Sequence, residues 1–235
     1  MRVTNNNNLE TKKRKNKEVR KSRTKKPAGI KLTARDLEIF YFVWAFKFCL
    51  SRHINALCGF PGARATTRRL RLLVETGYLA RKKHLYGIPY QYSLTYQAKM
   101  LIGVNKRIER VRLDQINHDI YVIDALIYFS RKFNLSLSDI TSEKALHVKD
   151  GFGIRHHAPD FIFTKDNITY AVEVELTPKS KERMRKNIHD NYLTYDYQYW
   201  ITSSKAVNSL ITFFRREYAN IEVINLKEVI FGECH

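Results

Sequence analysis

The chain has 235 residues and a mass of 27.8 kDa, room for one sizeable domain or two compact ones, each able to bury a core. Its 42 Lys and Arg against 23 Asp and Glu give a formal charge of +19, which points to a polyanionic partner, nucleic acid first. A hydrophobic content of 44%, with 14 Tyr and 13 Phe, excludes a wholly disordered chain, because that much apolar area offsets the entropy of ordering.

Residues 1–31 hold 12 Lys and Arg against 2 acids, in runs such as Lys12-Lys13-Arg14-Lys15, and read as a disordered basic tail. Such a tail either gains affinity on a phosphate backbone by counterion release or serves as a solvated, solubilising extension. No apolar run follows its charges, so no secretory signal is predicted. The most apolar stretch, Ile39 to Leu50, contains Lys47 and is far shorter than the ~20 residues that span a bilayer, so a cytoplasmic protein without membrane insertion is expected. Cys49, Cys58 and Cys234 are odd in number and lack C-x-x-C spacing, which argues against a disulfide framework or a zinc ribbon.

Residues 32–96 carry 10 basic residues against 3 acids. Thr33 reads as the N-cap of a helix from Ala34 to about Phe48, with Leu37, Phe40, Tyr41, Trp44 and Phe48 at helical spacing. A second helix, Ser51 to Leu57, ends at Cys58-Gly59, and Phe60-Pro61-Gly62 turns the chain into a third containing Thr66, Thr67, Arg68, Arg69, Leu70, Arg71 and Leu73. Of these arginines only Arg71 has an acid at pairing distance along the helix, Glu75. Strands at Tyr78–Lys82 and Tyr90–Leu94, joined through Tyr86-Gly87-Ile88-Pro89, complete a winged helix-turn-helix. Its expected DNA-binding residues are Thr66, Thr67, Arg68, Arg69 and Arg71 on the third helix, with Arg81, Lys82 and Lys83 on the wing; an ordinary solvated helix face is the alternative.

Residues 97–140 read as a helical linker and scaffold, with helices at Tyr96–Ile102 and Leu113–Phe133. Asn117-His118-Asp119 interrupts the apolar pattern of the second, and His118 reads either as a packing residue or as a contributor to a site.

Within 141–235, strands at Pro159–Thr164 and Ile168–Leu176 flank a Lys165-Asp166-Asn167 turn. Alternation sets Glu173 and Glu175 on one face about 7 Å apart, and pairing across the turn brings Asp160 opposite Val172 or Glu173. Three converging carboxylates raise one another's pKa or require a cation, and oxygen-only donors favour Mg²⁺ or Mn²⁺ over zinc. Such an ion suits phosphodiester cleavage, with Lys179 positioned to neutralise charge on the phosphate. The alternative is that Glu173 and Glu175 form the wet face of an edge strand and Lys179 is surface charge. A helix from Lys181 to Asn191, a strand at Tyr197–Thr202, a helix from Ala206 to Tyr218 and a strand at Ile221–Ile224 follow, which predicts an α/β (α+β) chain with a mixed sheet.

Carboxylates on a hairpin followed by helix, strand, helix and strand resemble the restriction-endonuclease-like nuclease core, whose signature is Pro-Asp and then Glu-x-Lys. The match here is Pro159-Asp160 and Glu173-Val174-Glu175, with Glu175 where lysine is usual, so the resemblance implies a variant metal site or an inactive relative. Together with Leu32-Thr33-Ala34-Arg35-Asp36, Asn117-His118-Asp119 and Leu176-Thr177-Pro178-Lys179-Ser180, these motifs resemble the replication-relaxation family, and within it the MobC-type plasmid relaxases.

The resemblance implies a divalent-metal-dependent enzyme that nicks one DNA strand at an origin of transfer to start plasmid mobilisation. Catalysis would fall to Asp160, Glu173, Glu175 and Lys179, with Asp160, Glu173 and Glu175 holding Mg²⁺ or Mn²⁺. Implied partners are double-stranded and locally melted plasmid DNA, with mobilisation accessory and coupling proteins. The His-hydrophobe-His relaxases are disfavoured, because only the adjacent pair His156-His157 occurs. Tyr192, Tyr195 and Tyr197 keep a covalent tyrosine route open, with packing as the simpler role. A non-catalytic mobilisation accessory or replication or transcription regulator on a decayed nuclease fold is the other reading.

Overall fold

The computed structural model describes residues 29–104, 111–149 and 157–231. The basic tail before residue 29, His156 and Cys234 lie outside the described residues.

The N-terminal unit opens with α1 (Ala34–Ala45), a two-residue strand β1 (Cys49–Leu50), α2 (Ser51–Leu57) and α3 (Ala63–Glu75). A hairpin of β2 (Leu79–Lys82) and β3 (Gln91–Leu94) follows, and β1 pairs with β3 to make an antiparallel sheet of order β1-β3-β2. Asp36 Oδ2 accepts the Thr33 backbone N–H at 2.7 Å and the Thr33 hydroxyl at 2.9 Å, which holds the first turn of α1. The α3 end is closed by Gly77, at φ +83°, with the Tyr78 N–H donating to the Leu73 carbonyl at 2.9 Å.

The phase of α1 differs from the predicted one. Ile39, Phe40 and Val43 are buried, whereas Leu37 and Tyr41 face solvent. In this phase Asp36 is buried as well, paired with Arg69. It ends three residues before Phe48, which leaves the helix so that Cys49–Leu50 can pair in the sheet.

After α4 (Tyr96–Leu101) comes α5 (Ile116–Phe133), which is buried on two sides rather than one. Ile123 belongs to the core of the N-terminal unit, and Ile116 and Ile120 pack with Phe48 and Leu50. Val122, Ala125, Leu126 and Phe129 pack on the larger sheet. The segment expected as linker and scaffold thus carries a helix shared by both cores.

That sheet has the order β4-β5-β6-β7-β8: β4 (Ile140–Ser142), β5 (Phe161–Lys165) and β6 (Ile168–Val174) are antiparallel, while β6, β7 (Tyr197–Thr202) and β8 (Ile221–Asn225) are parallel. A short helix α6 (Glu143–Lys149) follows β4. The crossovers α7 (Lys181–Thr194) and α8 (Lys205–Phe214) pack together over Trp200, with Met184, Ile188, Val207, Ile211 and Phe214. α5 and α9 (Leu226–Phe231) cover the opposite face. Two parallel crossovers advancing in one direction along the sheet put both helices on one side, as right-handed connections require. The Asp166-Asn167 turn between β5 and β6 has both residues at positive φ, +52° and +63°, the geometry that suits a two-residue hairpin.

The element order expected for 141–235 is met, with the addition of β4, α6 and α9, which the sequence reading did not separate. β6 is the central strand and not an edge. Cys49 and Cys58 are free and buried, and burial pushes the Cys58 thiol up to about 12, so neither behaves as a reactive thiolate. No helix among the described residues is long and apolar enough to cross a membrane.

Candidate catalytic centre and nucleic-acid interface

Period-2 alternation along β6 places Val172 and Val174 against α5, and sends Ala171 and Glu173 to the α7 side. The register pairs Phe161 with Val172, so Asp160, one residue before β5, stands opposite Glu173. Its Oδ2 accepts the Val174 N–H at 2.8 Å, which fixes the carboxylate at the end of β6. Glu175 continues past the strand, its N–H donating to the Ile201 carbonyl at 2.9 Å. Asp160, Glu173, Glu175 and Lys179 therefore gather where the parallel strands end, the usual side for chemistry in such sheets. Glu173 and Glu175 are buried, which rules out the wet-edge alternative.

Each carboxylate meets a basic side chain. The His157 Nε2 lies 2.6 Å from Glu173 Oε1, and the Lys179 ammonium pairs with Glu175 Oε2. His118, in the first turn of α5, sets Nε2 3.5 Å from Asp160 Oδ1 and Nδ1 3.7 Å from Asp119 Oδ1. Although burial opposes its charge, the flanking carboxylates of Asp160 and Asp119 carry the His118 pKa up to about 10. Burial likewise disfavours the His157 cation, and the bond to Glu173 more than offsets it, leaving its pKa raised. Burial, aided by the nearby Asp160, holds the Glu173 carboxyl above its ordinary value despite His157. A narrow cleft lined by Lys47, His118, Asp119, Ser142, Glu143 and Lys144 reaches Asp160.

Sequence reasoning missed His157 and Asn191 as partners. Asn191 donates its Nδ2 to Glu173 Oε1 at 3.2 Å, and its Oδ1 is buried with no hydrogen-bond partner. No local signal marks an asparagine on the next helix; only the β6–α7 packing brings it there. Among the described residues no group of three His, Cys, Asp or Glu side chains is arranged as a metal cluster. Carboxylate oxygens and an unpartnered amide oxygen are the donor type a hard divalent ion takes, while His157 Nε2 and the Lys179 ammonium already contact Glu173 and Glu175.

The three tyrosines of the covalent alternative are held in packing and hydrogen-bond contacts of their own. Tyr197 opens β7 at the opposite end of the strand and donates its hydroxyl to Glu222 Oε2 at 3.2 Å. Tyr192 packs edge-on against Tyr218, and Tyr195 lies next to that same far end, just before β7.

On the N-terminal unit, Thr67, Arg68 and Arg71 are exposed on α3 and, with Arg64 and Glu75, line one open concavity. Arg71 Nε donates to Glu75 Oε1 at 2.8 Å, as its spacing predicts. Two expected DNA contacts are corrected. Thr66 is fully buried, its hydroxyl donating to Asn55 Oδ1 at 2.8 Å and to the Gly62 carbonyl at 3.0 Å. Arg69 turns inward, its Nε donating to Asp36 Oδ1 at 2.8 Å, so an acid on α1 supplies the partner that helical spacing could not reveal.

Arg81, Lys82 and Lys83 are exposed at the hairpin. The Arg81 guanidinium lies 4.5 Å over the Tyr90 ring and Lys83 Nζ lies 5.3 Å from the Tyr86 ring, which is itself 99% exposed. In comparison with known proteins, no family model matches the chain and no curated protein matches its sequence.

Proposed function

We propose that this chain is a DNA-nicking endonuclease of the relaxase kind. The N-terminal unit would read duplex DNA as a winged helix, and the sheet unit, a variant restriction-endonuclease-like core, would cut one strand. The observation that carries the reading is the gathering of Asp160, Glu173, Glu175 and Lys179 at the end of the central strand β6, in a chain that also exposes Arg68 and Arg71 on α3 and Arg81, Lys82 and Lys83 on the adjoining hairpin.

Asp160, Glu173 and Glu175 would hold Mg²⁺ or Mn²⁺, which when bound polarises a phosphate and lowers the pKa of attacking water. His118 keeps the Asp160 carboxylate oriented from α5, and the Val174 N–H does so from β6. Lys179 delivers an ammonium beside Glu175, where the related motif carries its lysine directly, and would face the charge that develops on phosphate. Thr67, Arg68, Arg71, Arg81, Lys82 and Lys83 supply the phosphate and base contacts. The substrate in this reading is plasmid DNA at an origin of transfer, duplex and locally melted, met together with mobilisation accessory and coupling proteins.

One observation favours a second reading, a non-catalytic DNA-binding regulator on a decayed nuclease fold: each carboxylate is already paired with His118, His157 or Lys179. Supercoiled plasmid carrying the native origin, incubated with Mg²⁺, Mn²⁺ or chelator, separates the two. Open circles that require the metal and vanish in Glu173→Ala establish the nuclease. Retarded plasmid with no open circles under every metal, including after denaturation of the protein, establishes the regulator.

A further inference from the structure

One chain of contacts runs from α3 to the carboxylate centre. Thr66 on α3 donates to Asn55 on α2 at 2.8 Å. From the first turn of that helix, Arg52 places its guanidinium NH2 2.8 and 2.6 Å from the two oxygens of Asp124, on α5. The neighbouring His53 is fully buried, with Nε2 3.2 Å from Asp124 Oδ1. Its Nδ1 accepts the Leu50 N–H at 3.2 Å, so a neutral ring carries its proton on Nε2, on the Asp124 side but without hydrogen-bond geometry to it. The same α5 bears His118 against Asp160. The hairpin loop is tied in as well, Leu85 and Ile88 packing with Ile116 and Ile120.

Two units joined by a segment usually move relative to one another unless their interface is large and apolar. Here α5 belongs to both cores, and a buried ionic contact with defined geometry adds orientation to that packing. Asp124 is 10% exposed, takes two bonds from the Arg52 guanidinium and has His53 Nε2 at 3.2 Å, so rotation of α2 on α5 breaks the Arg52 bonds and displaces His53 with them.

We propose that Arg52, His53 and Asp124 are positioning residues that set the distance along DNA between the sequence held by α3 and the bond cut at Asp160 and Glu173. The inference rests on the DNA-nicking reading above. A rigid connection confines cutting to one bond; a loosened one spreads it over neighbouring nucleotides while α3 still binds.

The test uses end-labelled duplexes selected by the protein from a random pool, with nick positions mapped for the wild type, Arg52→Ala, Asp124→Asn and Arg52→Lys. A chelated iron attached at Leu193→Cys in a Cys234→Ser background, on an exposed position of the sheet unit, reports the same register by hydroxyl-radical cutting without the protein's own chemistry. The expected result is one nick and a narrow radical window for the wild type and Arg52→Lys. Arg52→Ala and Asp124→Asn should give windows several nucleotides wider, with DNA affinity within about twofold. Equal windows in all four proteins overturn the inference. Binding without a nick removes the nuclease reading and leaves the radical windows to decide the inference, whereas no binding at all overturns both.

Discussion

Arg69 Nε lies 2.8 Å from Asp36 Oδ1, and this contact joins α3 to the first turn of α1 around a carboxylate that is wholly buried. Burial by itself raises the Asp36 pKa, but the bonds from Arg69 and Thr33 outweigh it and hold the carboxyl below its ordinary value. Arg69→Ala leaves the carboxylate with only its Thr33 bonds, at an expected cost of about 3 kcal/mol measured by urea unfolding. The pH dependence follows. An unfolded aspartate titrates near about 3.9, so the contribution is complete above that pH and is lost as pH falls through the lower folded value. In an Asp36→Asn, Arg69→Met double variant this part of the acid dependence should disappear.

Two neighbouring residues on α3 should separate binding from folding. Arg68 is exposed on the concave face, and Arg68→Ala should weaken DNA binding about tenfold and lower the salt slope by about 1. Thr66→Ala should leave the affinity of the folded protein unchanged and cost about 1–2 kcal/mol of stability, because it strands Asn55 Oδ1. Fluorescence anisotropy and thermal melts on the same preparations decide the matter; a Thr66 variant that folds as the wild type but binds poorly would contradict it.

At the centre, Glu173→Gln should abolish metal-dependent nicking, by about 100-fold or more, with DNA affinity intact. If the ammonium acts on the phosphate rather than on the ion, Lys179→Ala should reduce the rate by about 100-fold while the metal requirement persists. Single-turnover nicking against metal concentration reads both. A Lys179 variant that recovers full rate at high metal would assign the lysine to metal binding instead.

The β5–β6 turn offers a stability test away from any chemistry. Asn167 sits at φ +63°, where asparagine is tolerated and a β-branched residue is not. Asn167→Val should cost about 1–2 kcal/mol, and Asn167→Gly should be neutral within about 0.5 kcal/mol, both by chemical denaturation.

The exposed Tyr86 beside Lys83 marks the tip of the hairpin. Tyr86→Ser should leave the melting temperature unchanged and weaken DNA binding several-fold, by about 1 kcal/mol. Unchanged affinity in a gel-shift titration would remove the hairpin tip from the DNA contact surface.

Much of the molecule was legible in one dimension, because the information is local. Alternation along Ile168–Leu176 put Glu173 and Glu175 on one face, and the turn narrowed the partner of Asp160 to Val172 or Glu173, of which the register selects Glu173. Helical spacing together with the Pro61-Gly62 and Thr76-Gly77 breaks located α3 and its exposed Thr67, Arg68 and Arg71. What spacing could not supply was partners distant in the chain. Asp36 pairs with Arg69 from 33 residues away, on an α1 whose phase leaves Leu37 and Tyr41 facing water. His157 and Asn191 reach Glu173 across 16 and 18 residues, and Asp124 gathers Arg52 across 72. Buried charges must find opposite charge wherever the fold places it, and sequence periodicity records only which face of an element is covered, not what covers it. The amino-acid order thus determined most of the elements and the outward Thr67, Arg68 and Arg71 of α3; tertiary packing decided the phase of α1, the inward turn of Arg69, that α5 serves two cores, and that Asp160, Glu173 and Glu175 meet His118, His157 and Lys179.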